Sequence, residues 1–103
     1  MENIYKITWS DEALKNLKTI INYLETNWTE KELKQFVKRL EKKLHLIHRN
    51  PTLFPIIHSP TNIRKCVLSR QTSIYYQIIH QEIRLITLFD NKQRQNRLRN
   101  QLK

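Results

Sequence analysis

The spacing of apolar residues along the chain changes twice, and each change marks a new kind of element. Tyr5, Ile7 and Trp9 alternate with Ile4, Lys6 and Thr8, a period of two that predicts a strand over residues 4–9. From Ala13 the spacing lengthens: Ala13, Leu14, Leu17, Ile20, Ile21, Leu24 and Trp28 recur every three or four residues, as on one face of a helix. Ser10 is placed to cap that helix, and Asp11 and Glu12 fall where the positive end of its dipole favours acids. It is expected to stop near Asn27. Thr29 and Glu32 have the spacing of a capping box, which starts a second helix with Leu33, Phe36, Val37, Leu40, Leu44 and Ile47 as its apolar stripe. Asn50-Pro51 ends it. A connection this short between two apolar stripes makes the pair an antiparallel hairpin.

Residues 51–62 hold all three prolines and show no period, so they read as a crossing loop, with Leu53, Phe54, Ile56 and Ile57 apolar enough to touch the rim of a core. The period of two then returns. Residues 63–68, 74–80 and 82–89 are rich in β-branched and aromatic residues and predict three strands in an up-and-down meander. The middle run is apolar on both faces, which places it in the middle of a sheet. Since the chain has no glycine, any turn that needs positive φ must use Asn, Asp, His or Ser. Folding the meander brings residues 68–70, 73–74 and 89–92 to one end. His80 and Glu82 go to the other, roughly 20 Å away. Arg70, Lys92 and Arg94 therefore gather at one end, with Arg64 and Lys65 along the neighbouring strand and Arg97 just beyond.

Composition sharpens this picture. At 103 residues the chain suits one domain with a modest core, the last stretch, 90–103, being either a short helix or a basic tail. Nineteen Lys and Arg against nine Asp and Glu give +10, a balance that favours a polyanion or an acidic protein as partner. The lone Cys66 cannot pair within the chain and suits a reducing compartment. No run is long enough to span a membrane and the first ten residues lack a signal peptide's apolar core, so the expected location is the cytoplasm and no membrane partner is expected. His45 and His48 stand three apart on the second helix, yet no Cys or carboxylate cluster completes a metal site; no metal or cofactor is expected. Cys66 in a strand reads as core, His80 as a turn residue, and one of Tyr75 and Tyr76 should pack under the helices.

The order of these elements resembles the RelE/ParE superfamily of bacterial type II toxins. The resemblance rests on ITWSDEALKNLKTIINYL at the start, on NPTLFP after the second helix, on Ile63-Arg64-Lys65, on IYYQI from Ile74 and on ITLFDNKQ from Ile86. It covers nearly the whole chain. It implies an α+β fold of order β-α-α-β-β-β, a helical hairpin packed on a small, largely antiparallel sheet, and an acidic antitoxin as partner. It also implies one of two activities. ParE-like members bind and inhibit DNA gyrase; RelE-like members are ribosome-dependent mRNA endonucleases. A third possibility is a degenerate member that binds only its antitoxin and, with it, DNA.

Nuclease chemistry needs cations around the scissile phosphate and groups that move protons. Arg64, Arg70, Lys92 and Arg94 are the candidate cations for catalysis; with Lys65 and Arg97 they are also the candidate target- or nucleic-acid-binding set. RelE-like enzymes place a basic residue at the start of the middle strand, where this chain has Ser73, and carry Tyr or His near the end, where nothing after Phe89 is either. The ParE-like reading, a toxin that acts by binding, is the one these departures favour.

Overall fold

The computed structural model describes residues 5–70 and 72–90. Their order is β1 (Lys6–Trp9), α1 (Asp11–Asn27), α2 (Glu30–Arg49), β2 (Ile56–His58), β3 (Ile63–Val67), β4 (Thr72–Ile79) and β5 (Glu82–Asp90). The sheet order is β1-β5-β4-β3-β2. Only the β1–β5 pairing is parallel. This is the α+β architecture expected from the apolar spacing, with β4 in the centre.

One correction concerns the proline segment. It holds a strand, β2, where a plain crossing loop was expected, so four strands follow the helices. Three residues are too few to show a period, and all three are exposed. A short strand at a sheet edge is also where flanking prolines are tolerated, because one side needs no ladder hydrogen bonds. Of the four apolar residues expected at the core's rim, Phe54 packs against the core while Leu53, Ile56 and Ile57 are exposed.

Both helix starts follow from local chemistry. Ser10 Oγ accepts from the Ala13 N–H at 3.0 Å, and Thr29 Oγ1 accepts from the Glu32 N–H at 3.2 Å. Ser10 has a second task. Ile86 is an extra residue in β5, bulged between the pairs Tyr76↔Leu85 and Tyr75↔Thr87, and Ser10 Oγ donates to its carbonyl at 2.7 Å. One hydroxyl thus fixes the start of α1 to the bend in β5. Beyond the end of β1, Asn16 Oδ1 accepts from the Leu88 N–H and the Thr87 hydroxyl, satisfying the edge that β1 no longer covers.

The two positive-φ residues among those described are Asn62 and His80, both at φ 56°. They do the work glycine would do elsewhere: His80 turns β4 into β5, and Asn62 leads into β3.

The core lies between the hairpin and one face of the sheet. Ala13, Ile20, Phe36, Leu40 and Ile47 come from the helices; Cys66, Ile74, Tyr76, Ile83, Leu85 and Leu88 meet them from the strands. Leu17, Leu24 and Val37 pack against this cluster half-buried, and Leu14 lies outside it. Tyr76 is the largest fully buried side chain. Its hydroxyl donates to the Pro51 carbonyl at 2.6 Å, and burial pushes its pKa up to about 12. Arg64 stands opposite Tyr76 in the β3–β4 ladder and donates from Nη1 to the Phe54 carbonyl at 2.6 Å and the Thr52 carbonyl at 3.3 Å. Together these two side chains hold the proline segment to the sheet. Among the described residues no helix is long and apolar enough to cross a membrane.

Candidate functional site

The meander brings its ends together as the sequence implies. Val67 pairs with Ser73, and Thr72 with Asp90, while Ile79 pairs with Glu82 at the far end. The Leu68 and Ser69 N–H groups both donate to the Thr72 carbonyl, and Ser69 Oγ accepts from the Thr72 N–H, so this turn is held from both sides. Exposed Arg70 rides on it.

The other candidate cations part company. Arg64 and Lys65 are consecutive in β3, so they point to opposite faces. Arg64 is engaged with the proline segment on the helical side, as described above. Lys65 is on the other face, which no described helix covers. There its Nζ stands 6.0 Å from the centre of the Tyr75 ring, and Tyr75 meets Phe89 edge to face at 6.1 Å. Val67, half exposed, is on the same face. Lys92, Arg94 and Arg97 lie outside the described residues, as does the question of a helix or tail over 90–103.

Ser73, the position where a nuclease would carry a cation, is fully buried, and its Oγ has no hydrogen-bond partner. Cys66 is core as expected: burial pushes its thiol up to about 11, against the opposing pull of Lys43. His48 Nε2 is 2.8 Å from the Tyr5 carbonyl, and His58 Nδ1 is 2.7 Å from Thr61 Oγ1. Among the described residues no group of three His, Cys, Asp or Glu is placed to hold a metal. At the far tip, the Thr8 hydroxyl at 2.8 Å and Arg84 Nε at 3.1 Å hold the Glu82 carboxyl below its usual range.

A groove of about 250 Å³ opens beside Arg70, and sequence reasoning did not find it. Glu32, Gln35, Phe36 and Arg39 share a stripe of α2 at helical spacing, and Ile20, Tyr23 and Leu24 face them from α1. Trp28 at the end of the hairpin and the Ser69–Thr72 turn complete it. The available signal was that spacing, 32/35/36/39, which sets Arg39 beside the apolar stripe of α2.

The sequence profile of the ParE toxin of type II toxin–antitoxin system, parDE, matches residues 7–95. The chain belongs to the ParE toxin family. Its role is therefore that of the toxin in a type II toxin–antitoxin system. No curated protein matches it by sequence. Similar solved structures include the chromosomal ParDE toxin–antitoxin system of P. aeruginosa, at 14% identity and TM-score 0.70, covering 86% of this chain and 98% of that one. The E. coli DinJ–YafQ complex matches at 12% identity and TM-score 0.60, covering 86% and 96%. The S. aureus YoeB dimer matches at 20% and 0.58, covering 82% and 94%. At these identities the likeness is one of fold. The family itself rests on the profile match, which runs from β1 past the end of β5.

Proposed function

We propose that this toxin arrests growth by binding an essential protein, DNA gyrase being the foremost candidate, and that it does so without cutting RNA. The observation that carries this reading is where the proton-transfer groups sit relative to Arg70. Tyr76 has its phenol donated to Pro51 and its pKa raised, so it is a poor general base. His80 is at the opposite tip of the sheet, His48 faces Tyr5, and the nuclease cation position is a buried serine. Cations can hold an acidic surface without taking part in proton transfer.

The same reading includes an acidic antitoxin. ParDE of P. aeruginosa and DinJ–YafQ are toxin–antitoxin assemblies by name, and a chain of +10 favours an acidic partner. Raised salt is then expected to slow association more than it speeds dissociation.

A second reading has a specific observation behind it. Tyr75, Phe89 and Lys65 put two rings and a cation on the uncovered face, a surface on which RNA bases can stack. With Tyr75 as the proton-transfer group, this would be an mRNA endonuclease acting on the ribosome. Inducing the chain in cells and assaying DNA breaks against mRNA cleavage separates the two. DNA breaks with intact mRNA are expected; mRNA cleavage lost in Tyr75→Phe or Lys65→Ala would overturn the first reading.

A further inference from the structure

We infer that the outward face of α2 is a binding surface for the phosphate backbone of duplex DNA. Neither reading of the toxin's activity uses this face, so its assignment stands whichever essential protein is the target.

Helical geometry sets the pattern. With 3.6 residues per turn, Lys31, Lys34, Lys38, Lys42, His45 and Arg49 fall within an arc of about 80° on the side of α2 turned from the core. All six are exposed. At about 1.5 Å per residue the row runs roughly 27 Å. No acid of α2 lies inside the arc: Glu30 and Glu41 border one side, and Glu32 lines the groove on the other. Among the described residues only Lys34 of this row has a carboxylate partner, Glu30 at 3.5 Å, in an exposed pair of little strength.

A face made only for solubility is built differently, and α1 supplies the comparison. Its exposed residues mix Lys15 and Lys18 with Asp11, Glu12 and Glu25. On α2, Lys34, Lys38 and Lys42 stand four apart in succession, a like-charge spacing that weakens a helix. A polyanion lying along the row relieves that repulsion.

The chemistry of the row selects its occupant. None of the large apolar residues exposed among those described belongs to α2, whose apolar stripe packs toward the sheet. The row therefore lacks the apolar centre of a protein interface and the apolar flank of a helix that lies in a lipid surface. It also lacks Phe, Tyr or Trp on which unpaired bases stack; Tyr75 and Phe89 are on the sheet instead. What it offers is a line of positive charge, and duplex DNA presents a line of negative charge, one per ~1.7 Å of axis. Duplex RNA is recognised largely through its 2′-hydroxyl, donor and acceptor at once, whereas Lys and Arg only donate. Phosphate contacts of this kind hold a duplex without reading its sequence.

The test is fluorescence anisotropy of a short labelled DNA duplex of mixed sequence, titrated with the full chain at several salt concentrations. Wild type is compared with Lys38→Ala/Lys42→Ala and with Lys15→Ala/Lys18→Ala, which removes the same charge from the exposed side of the other helix. Alanine favours a helix, so both variants keep the fold, which circular dichroism checks. For the wild type, log K should fall with log salt at a slope of about −4 or steeper, made shallower by about 2 in the α2 pair. Affinity should drop about tenfold or more in the α2 pair and no more than about threefold in the α1 pair. That contrast should persist in a chain ending at Gln93, which lacks the basic C-terminal residues. Equal losses in the two pairs, or a contrast that vanishes in the shortened chain, would overturn the assignment. So would no DNA binding, duplex RNA or single-stranded DNA bound as tightly as the duplex, or tighter binding to phosphatidylserine–phosphatidylcholine vesicles.

Discussion

Replacing Tyr76 with Phe removes one oxygen, and the structure states what that oxygen does. The side chain is completely buried in the central strand, and its hydroxyl donates to the carbonyl of Pro51, itself buried, 25 residues earlier in the chain. Phe fills nearly the same volume, so no cavity is added. What remains is a buried carbonyl without its donor, a loss of about 1–3 kcal/mol. A domain this size has about 5–15 kcal/mol in all, and each kcal/mol lowers Tm by roughly 4–8 °C. Urea and thermal unfolding followed by circular dichroism measure it directly, with an unchanged urea slope showing that only stability moved. Tyr75→Phe is the control. It is half-buried on the other face of the same strand and should change stability by no more than about 0.5 kcal/mol. Equal, small effects from the two would refute the claim that Tyr76 fastens the proline segment to the sheet.

Three further outcomes follow from the same geometry. Leu40→Ala, at a site 7% exposed between α2 and the sheet, should cost about 2–5 kcal/mol in urea unfolding, while Leu14→Ala, 43% exposed, should cost far less. Ser73→Ala should be neutral or stabilising by up to about 1 kcal/mol, because it removes a buried hydroxyl that has no partner; a clear loss would mean the hydroxyl is bonded. Stability should fall as pH rises from 9 towards 12: Cys66 and Tyr76 are both raised, so the folded chain keeps protons that the unfolded chain releases from pH 9 and 10 upward, and Tyr76→Phe should flatten the upper part of that fall.

Most of the fold was legible because the periods of two and of three to four are long and unbroken where they occur. Ser10, Thr29 and His80 marked their boundaries by capping chemistry and by the want of glycine. β2 was not legible, since three exposed residues between prolines carry no period, and its pairing with β3 is a tertiary fact. Nor was the bulge at Ile86, whose carbonyl accepts from Ser10 Oγ just past the end of β1.

The site was legible only in part. Sequence gathers Arg64, Lys65 and Arg70 as neighbours in number, but strand alternation sends Arg64 and Lys65 to opposite faces. Whether a cation is used for packing or stands open to a partner depends on carbonyls, such as those of Thr52 and Phe54, that only the folded chain brings near. The groove escaped for a related reason. It is a space between two stripes and a turn, and Arg39 belongs to it through the packing of the hairpin against that turn.

The central claim is that this toxin binds its target and does not cut RNA. The most direct measurement places purified chain on ribosomes programmed with mRNA and maps new 5′ ends, with wild type beside Arg70→Ala, Lys92→Ala and a chain ending at Gln93. The account predicts no new ends with any of them, because a site that binds a target without positioned proton transfer forgoes about 10²–10⁴-fold in rate. Defined cleavage by the wild type that disappears in Arg70→Ala or Lys92→Ala would contradict it and make the chain a nuclease.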